Sequence, residues 1–587
     1  MGTNIALKSY GVYFNPLNMG VQSDGSLKTL KYVDKRPGTK VLDDGKVEFS
    51  FFAPNAERVE VCGISGTFPS ERVPLEKQED GWFVKCVEEM PSGFHYFHWF
   101  VDDVQAGNPE GMLCYGCMEN TDFVDVPERE DDFYLRKSVP HGTINYEMYQ
   151  SGENSRTKYA LIYTPPGYEE NPQKTYPVLY LQHGVGECET SWVWNGKASY
   201  IIDNLLAEGK CEEMIVVMNA GYAFRPGENP VFFPGDFDAE MVYDCMPFIE
   251  EKYRIKKGRI NTAIAGLSLG SAQAAYIAVK HPDLFGYVGV FSGVISDAFA
   301  EAKEKDITFG AIFLGSGISE GLANANREIA QALRKPGVNV IVKEYSGYHE
   351  WSPWRHCLFD YVQNIFKEEY IPEYPSTLTN SRREASPIAA KGKDYLFTGR
   401  NQALESNALF NDPINFTIIH PVDENGRPTG QYVNVPKGVE VLGEGVVRFY
   451  YHTDAKAKLE VAFNGNTYLM HSDEAGYYTC VVDKVAPGFY YVDFLVNGTR
   501  VVNPIANVGY GSFRNQNYFE MEDPDFNDYY LRHVKHGSVH LRTHRSGICG
   551  SEKPLYIYTP YGYETSSKAY PVIYLQHGGG ENETGWI

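Results

Sequence analysis

The chain lacks the two kinds of segment that would insert it into a membrane or export it. No run of about 18 apolar residues, the length of a transmembrane helix, occurs in it. The first residues, Met1–Tyr10, contain no basic region followed by an apolar stretch, as an export signal would. We therefore expect no membrane partner. As written, the sequence indicates a cytoplasmic protein, or a secreted one if its N-terminus is incomplete or trimmed.

Basic residues are also scarce. The chain has 53 Lys and Arg residues against 76 Asp and Glu residues, which gives a net charge of −23 at pH 7. A protein with this charge is repelled by the phosphates of nucleic acids and by anionic lipid headgroups. Neither nucleic acid nor a lipid surface is an expected partner.

Cysteine is sparse for a chain of 587 residues. The ten cysteines include one close pair, Cys114 and Cys117, and one pair cannot complete a four-ligand zinc site. Scattered cysteines in large domains are typical of buried free thiols in a reducing compartment. The sequence therefore predicts no metal site.

What the chain does contain is a repeat. The nonapeptide Tyr-Pro-Val-Leu-Tyr-Leu-Gln-His-Gly at Tyr176–Gly184 returns at Tyr570–Gly578 with Ile in place of the first Leu. The preceding residues repeat as well, for example Asn108-Pro109 as Asn503-Pro504. The sequence ends nine residues after the second nonapeptide, at Ile587. The repeat therefore divides the chain into two units, of which the second is expected to be a truncated copy.

The pattern of apolar residues predicts the domains. Short alternating strands separated by Pro, Gly and Asp clusters are typical of antiparallel sandwiches, whereas apolar strands alternating with helical patterns indicate a mostly parallel sheet covered by helices. The expected fold is a three-layer α/β/α domain flanked by antiparallel β-sandwiches. The expected domains are a first sandwich at 1–140, the α/β domain at 141–375, a polar linker at 376–395, a second sandwich at 396–540 and the truncated start of a second α/β domain at 541–587.

A nucleophile is predicted in the middle domain. Gly266-Leu-Ser-Leu-Gly270 follows a candidate strand, Thr262–Ala265, and precedes a candidate helix, Ser271–His281. A tight turn between strand and helix exposes the hydroxyl of the central Ser268 and requires residues without bulk on either side. A second such pentapeptide places Ser319 at its centre, but too few strands follow it for an acid and a base in the usual order. We therefore favour Ser268.

The base and the acid should follow later strands of the sheet. His349 comes after the last candidate strand, Asn339–Lys343, on a loop that can fold back over the carboxyl edge of the sheet. Glu320 is the carboxylate after the preceding strand and can orient an imidazole, although it could also be a carboxylate at a helix N-terminus. Asp297 and Asp306 remain alternatives for the acid.

The oxygen that becomes negative during ester cleavage needs hydrogen-bond donors. The backbone amide of Leu269, which follows the nucleophile, is one candidate. The turn that ends the early strand Val178–Leu181 can supply the other, from Val185 or Gly184. We therefore expect an oxyanion hole built from backbone amides.

Five ordered motifs lie within about Tyr159–Tyr370: Leu181–Trp192, Ile202–Lys210, Pro247–Arg254, Ala265–Gly270 and His349–Arg355. Together they resemble carbohydrate esterase family one, a group that contains feruloyl and acetyl xylan esterases related to enterochelin esterase and the mycobacterial antigen 85 proteins. The sandwich before them resembles the immunoglobulin-like module, akin to the glycogen-binding carbohydrate module, that often precedes such esterases. The resemblance implies an α/β hydrolase flanked by immunoglobulin-like β-sandwiches.

The resemblance implies roles for these residues. Ser268 would be the nucleophile, His349 the base and the loop carboxylate the acid, with no cofactor. The family usually has Asp where Glu320 falls and Gly where Ser271 stands, which leaves the acid open. Four tryptophans on loops near the expected site could stack on a sugar or a feruloyl ring, or could pack a lid: Trp192, Trp194, Trp351 and Trp354.

The leading hypothesis is a serine carboxylesterase. It would remove acyl groups, feruloyl or acetyl, from plant polysaccharides such as xylan or from their oligosaccharides through an acyl-enzyme. The alternatives are hydrolysis of a siderophore trilactone of the enterochelin type and a non-catalytic carbohydrate-binding array. The expected partner is an acylated oligosaccharide or polysaccharide.

The second hydrolase copy ends before any nucleophile, acid or base. Its apolar segment Val572–Leu575 has no parallel neighbours of its own, and exposed strand edges favour pairing or disorder. We expect Leu541–Ile587 to be loosely held or to be borrowed by another surface, and the natural gene to continue past Ile587.

Overall fold

The computed structural model describes most of the chain in ranges separated by gaps. These are residues 19–22, 26, 31–42, 45–64, 71–88, 90–128, 132–154, 156–223, 237–293, 295–334, 338–377, 416–419, 431–473, 476–521, 523, 525, 535–548, 550 and 552–587. All but the first two residues of the expected linker at 376–395 lie outside the described residues. Within the described ranges, no helix combines the length and the apolar character needed to cross a bilayer.

The first sandwich consists of two antiparallel sheets. Along Val47–Phe52, Val47, Phe49 and Phe51 point into the core, and Trp99 packs edge-on against both phenylalanines. One sheet contains Thr39–Val41, Val47–Phe52, Glu76–Lys77 and Trp82–Val87. The other contains Val59–Gly63, Val73–Pro74, Gly93–Val101, Val104–Ala106, Leu113–Gly116 and Glu119–Val126.

The second sandwich repeats this arrangement. Its four-stranded sheet contains Val439–Gly443, Val446–His452, His471–Ser472 and Tyr477–Val482. Its six-stranded sheet contains Leu459–Phe463, Asn466–Leu469, Gly488–Val496, Thr499–Val501, Val508–Gly511 and Arg514–Met521. A two-stranded ribbon precedes each sandwich, Met19–Gln22 with Lys31–Asp34 and Phe416–Ile419 with Gln431–Asn434.

A ten-stranded sheet forms the centre of the molecule. In chain order its strands are β1 Thr143–Ser151, β2 Arg156–Thr164, β3 Val178–Gln182, β4 Ile215–Asn219, β5 Thr262–Leu267, β6 Tyr287–Phe291, β7 Ala311–Gly317, β8 Asn339–Tyr345, β9 Ser538–Arg545 and β10 Glu552–Thr559. Their spatial order is β8-β7-β6-β5-β3-β4-β2-β1-β9-β10. The strands from β3 to β8 run parallel, so their carboxyl ends lie at one edge. The three candidate strands named from the sequence, Val178–Leu181, Thr262–Ala265 and Asn339–Lys343, correspond to β3, β5 and β8 of this parallel part.

Helices cover both faces of the parallel part, as expected for an α/β hydrolase. Two apolar cores separate them from the sheet, one on each face. The helices are α1 Ser191–Trp194, α2 Ala198–Ala207, α3 Phe237–Lys252 in three joined segments with π geometry at Met241–Cys245, α4 Leu269–Lys280, α5 Ser296–Glu304, α6 Ala323–Leu333 and α7 Trp351–Val362. Short 3-10 turns occur at Arg259–Asn261, Ile318–Glu320 and Tyr563–Thr565.

The second unit completes one edge of the sheet. β9 pairs antiparallel with β1, and Asn145 lies opposite His540. These two residues occupy the same position in the two repeats, so the two strands meet around a local twofold axis. The beginning of the segment expected to be loosely held or borrowed is therefore paired with the first unit.

The two sandwiches also meet around this axis. Gly107 and Val502, which are equivalent in the repeat, exchange both backbone hydrogen bonds. The backbone amide of Asn120 donates to the carbonyl oxygen of Pro504, and the backbone amide of its counterpart Asn515 donates to that of Pro109. Equivalent groups thus make equivalent contacts across the interface.

Candidate active site

Ser268 lies at the turn between β5 and α4. Its φ of 52° and ψ of −116° are outside the regions that side-chain-bearing residues usually adopt. A Cβ atom on Gly266 would overlap the carbonyl of Gly270, and one on Gly270 would crowd the carbonyl of His183. Close backbone approach therefore requires glycine on both sides, and the turn has the geometry expected for a nucleophile elbow.

Ser319 has a different environment. It lies in the 3-10 turn Ile318–Glu320 after β7, and its amide donates to the carbonyl oxygen of Gly347. Its φ is not positive, unlike that of Ser268. The second pentapeptide thus forms no strained elbow.

His349 and Glu320 are brought together at the carboxyl edge of the sheet. Nδ1 of His349 lies 2.8 Å from Oε2 of Glu320, whose side chain is only 6% exposed. The other carboxylate oxygen, Oε1, accepts hydrogen bonds from Ser292 Oγ at 2.6 Å and from the Gly317 amide at 2.7 Å. These two donors fix the carboxylate in the orientation that binds the imidazole.

The two alternative acids lie elsewhere. Asp297 lies in the first turn of α5 and accepts a hydrogen bond from Tyr276, which lowers the pKa of its carboxyl group. Asp306 precedes β7, so it lies at the opposite edge of the sheet from His349. Of the three carboxylates considered, Glu320 is the one in contact with His349.

A cavity of about 120 Å³ opens beside these residues. It joins the nucleophile candidate to the imidazole and is otherwise mostly apolar. Its lining residues are Ile64, Phe94, Tyr96, Cys117, Gly184, Val185, Glu187, Leu267, Ser268, His349, Glu350, Trp351 and Trp354. Ser268 and His349 therefore line the same open cavity.

The loop after β3 borders the cavity beside Ser268 through Gly184 and Val185, and Leu269 follows Ser268 at the start of α4. Within the described residues, no hydrogen bond involves the amides of Val185 or Leu269 as donors. His183 holds this loop: its Nε2 accepts from the amide of Gly221, and its Nδ1 donates to the carbonyl oxygen of Gly184. Burial lowers the pKa of His183 to about 4, so the ring stays neutral. Neutral His183 therefore holds the loop through both of its ring nitrogens.

The four tryptophans divide into two pairs, and none of them lies on a loop. Trp351 and Trp354 begin α7 and line the cavity. The Trp354 ring stands edge-on to His349, and its Nε1 donates to Ser292 Oγ. Trp354 therefore positions the base as well as bounding the cavity.

The structure places Trp192 and Trp194 away from the cavity, in the packing role that the sequence also allowed. Both belong to the short helix α1 and are buried in the core behind the sheet edge. Trp192 Nε1 donates to the carbonyl oxygen of Gln182, and its ring packs edge-on against Trp351 of α7. Neither residue is among those that line the cavity.

No sequence pattern indicated that the first sandwich helps to form this cavity. Ile64, Phe94, Tyr96 and Cys117 all come from that domain. Their contribution depends on contacts between residues far apart in the chain, which local patterns do not encode. The cavity is therefore shared between two domains.

A buried ion pair fixes the two domains together. Arg355 on α7 is fully buried and binds Asp125 of the sandwich through two hydrogen bonds of 3.0 and 2.8 Å. Burial alone would raise the pKa of Asp125, but the Arg355 guanidinium lowers it overall. The sandwich thus cannot move away from α7 without exposing or stranding this pair.

Comparison with known families identifies both domains. Residues 152–365 match the family model Esterase, described as "Putative esterase", and residues 37–108 match carbohydrate-binding module 48, described as the isoamylase N-terminal domain. The chain therefore contains an esterase-family domain preceded by a family-48 module. The resemblance drawn from the sequence is confirmed for both, as is the α/β hydrolase fold flanked by immunoglobulin-like sandwiches.

Two curated relatives are similar over parts of their length. An endo-1,4-beta-xylanase/feruloyl esterase of Xylanibacter ruminicola is 33% identical over 337 residues, which are 56% of this chain and 46% of that protein. Endo-1,4-beta-xylanase Y of Acetivibrio thermocellus is 31% identical over 279 residues, or 40% of this chain and 24% of that protein. The chain thus spans less than half the length of either.

Solved structures are similar over part of the chain. A ferulic acid esterase from Anaeromyces mucronatus, in complex with ferulic acid, is 28% identical and covers 40% of this chain and 95% of its own, with a TM-score of 0.35. An enterochelin esterase from Shigella flexneri is 14% identical and covers 56% of this chain and 95% of its own, with a TM-score of 0.44.

Proposed function

We propose that this chain is a serine carboxylesterase that removes feruloyl or acetyl groups from plant polysaccharides such as xylan, or from their oligosaccharides. The observation that carries the proposal is the 2.8 Å contact between His349 and Glu320 at a cavity that also contains Ser268. The xylanase and feruloyl esterase relatives and the family-48 module support a carbohydrate ester as the substrate.

Acylation would begin at Ser268. Because Nδ1 of His349 donates to the Glu320 carboxylate, Nε2 is the nitrogen left without a proton and can act as the base. Nε2 removes the hydroxyl proton while Oγ of Ser268 attacks the ester carbonyl carbon. The carbonyl oxygen then becomes negative and is stabilised by the amides of Leu269 and Val185 or Gly184.

Collapse of this tetrahedral intermediate releases the sugar. The bond between the carbonyl carbon and the sugar oxygen breaks, and His349 transfers its proton to that oxygen. A water molecule then attacks the acyl-enzyme while His349 accepts its proton and returns it to Oγ. The products are the free acid and the sugar hydroxyl, and no cofactor takes part in any step.

A panel of esters tests the proposal. Methyl ferulate, acetylated xylo-oligosaccharides, a siderophore trilactone and nitrophenyl acetate are offered to the full chain and to Ser268→Ala. We expect hydrolysis of nitrophenyl acetate and of at least one of the first two, none of the trilactone, and no turnover by the variant. Hydrolysis of the trilactone alone, or wild-type protein as inactive as the variant, would refute the proposal.

A further inference from the structure

Glu187 lines the cavity but has no part in the mechanism above. It lies on the loop after β3, two residues beyond Val185, and only 5% of its surface is exposed. Its Oε1 accepts a hydrogen bond from the Tyr96 hydroxyl at 3.0 Å. Its Oε2 has no hydrogen-bond partner among the described residues. Because buried polar atoms normally have a hydrogen-bond partner, we expect this oxygen to bind a ligand in the cavity.

The hydroxyl group of Tyr96 has no hydrogen-bonding position left for substrate. Its hydroxyl donates to Glu187 and accepts hydrogen bonds from Asn195 Nδ2 at 2.7 Å and Trp351 Nε1 at 2.9 Å. One donor and two acceptor positions are all that a tyrosine hydroxyl has. Tyr96 is therefore a positioning residue, contributed by the sandwich, that holds Glu187 and Trp351 in the cavity wall.

The surroundings of Glu187 favour the neutral carboxylic acid. Burial raises the pKa of Glu187 to about 8, against smaller opposing effects of Tyr96 and Trp351. Burial also raises the pKa of Cys114, Cys117 and Tyr96, so these neighbours stay uncharged at neutral pH. His349 and Glu350 are the other titratable residues that line the cavity. At pH 7 the unused oxygen can thus donate a hydrogen bond.

The rest of the wall is apolar or aromatic. Ile64, Phe94, Trp351 and Trp354 supply it, which suits an aromatic acyl group better than a strongly hydrated sugar. We propose that Glu187, held by Tyr96, is a specificity-determining residue that donates a hydrogen bond to a hydroxyl or ether oxygen on the ring of the acyl group. The inference rests on the proposed esterase function and narrows its substrate to ring-substituted aromatic acyl esters.

The second unit provides a matched control. Tyr491 is the counterpart of Tyr96, and Glu581 that of Glu187. The Tyr491 hydroxyl donates instead to the carbonyl oxygen of Tyr510. Tyr491→Phe therefore removes the same atom from the same kind of strand without touching the cavity.

The test compares methyl ferulate, which carries a hydroxyl and a methoxy group, with methyl cinnamate, which carries neither. For Glu187→Leu in the full chain we expect kcat/KM to fall about tenfold or more for the ferulate and less than about twofold for the cinnamate, as loss of one hydrogen bond to substrate predicts. Tyr96→Phe should also lower the kcat/KM for methyl ferulate relative to that for methyl cinnamate, and Tyr491→Phe should leave this ratio unchanged. An equal loss for both esters, or no loss for either, would overturn the proposal.

A pH series adds a readout that a packing role would not give. In the wild type, the KM for methyl ferulate should rise as pH increases through about 8, because an ionised Glu187 no longer donates. Glu187→Gln keeps a donor at every pH, so its KM should stay flat. A KM that rises equally in Glu187→Gln would contradict the proposal.

Failure of the esterase function would be seen separately. If neither ester is hydrolysed, binding of ferulate and cinnamate to the Ser268→Ala protein, with and without Glu187→Leu, is measured by calorimetry. Tighter binding of ferulate that depends on Glu187 supports the inference even without turnover. Equal affinities, or a preference that survives Glu187→Leu, would overturn it.

Discussion

The two repeated nonapeptides differ in one residue and adopt different structures. In the first unit, residues 178–182 form the central strand β3 between two parallel neighbours, and Tyr180 is 0% exposed. In the second, residues 572–575 form no strand, and Tyr574 is 86% exposed. Because the two local sequences are nearly identical, the strand in the first unit depends on pairing with its neighbouring strands. Strand preference depends on packing more than on backbone preference.

The sandwiches show the same effect on a larger scale. Phe94, on the face that meets the esterase domain and α7, is 2% exposed, whereas its counterpart Phe489 is 50% exposed. Tyr96 binds three esterase residues, while Tyr491 binds only within its own sandwich. The first sandwich is therefore part of the active-site wall, and the second keeps the equivalent face without that function.

The largest expected difference is between the two pentapeptide serines, and it should appear in catalysis. Ser268→Ala is expected to lower kcat on nitrophenyl acetate by about 10⁶-fold, because no other residue supplies the nucleophile. Ser319→Ala, the other pentapeptide serine, should leave kcat unchanged. Steady-state kinetics with both variants provides the measurement, and substantial activity left in Ser268→Ala would contradict the assignment.

The second-largest loss of activity is expected when the catalytic acid is removed. Glu320→Ala is expected to lower kcat by about 10³- to 10⁴-fold, because the imidazole loses the partner that fixes its tautomer. Asp297→Ala removes a surface carboxylate bound to Tyr276 and should have little effect. The same assay decides between them: full activity in Glu320→Ala with loss in Asp297→Ala would show that the acid was misassigned.

The buried ion pair gives a contrast in stability. Arg355→Ala strands the buried Asp125 carboxylate, so we expect the free energy of unfolding to fall by about 3–5 kcal/mol. Arg448→Ala, in the second sandwich, breaks a half-exposed pair with Glu440 and should cost less than about 1 kcal/mol. Urea unfolding followed by tryptophan fluorescence measures both. Similar losses for the two variants would be inconsistent with the sandwich being locked to α7.

The repeated nonapeptide gives the last and smallest contrast, in the free energy of unfolding. Leu181→Ala opens a cavity in the core and should destabilise the protein by about 2–5 kcal/mol. Leu575→Ala changes an exposed side chain and should fall within about 0.5 kcal/mol of the wild type. The two variants are compared by the same urea titration. An equal loss in Leu575→Ala would show that this segment is packed against a surface in solution.

The elbow could be predicted from the sequence because its determinants are local: a strand, two glycines and a helix within a few residues of Ser268. Strands β3, β5 and β8 could be found for the same reason, through short apolar runs. Trp192 and Trp194 were misplaced because the four-residue helix α1 is too short to produce a helical period.

Contacts between distant residues could not be predicted. Tyr96 and Glu187 are 91 positions apart, and Arg355 and Asp125 are 230 apart. Neither pair has a spacing that marks it, since packing of the sandwich against the esterase domain brings the residues together. The acid stayed open for a similar reason, because the choice of Glu320 over Asp297 depends on which loop reaches His349.

The central claim is that the chain has one working nucleophile, Ser268, in its first unit. A fluorophosphonate ester that traps activated serines tests it directly. Intact-mass spectrometry of the full chain should show one phosphonyl group per molecule, and peptide mapping should place it on Ser268. Ser268→Ala should take up none. A second label, a label on Ser319, or none on the wild type would contradict the account.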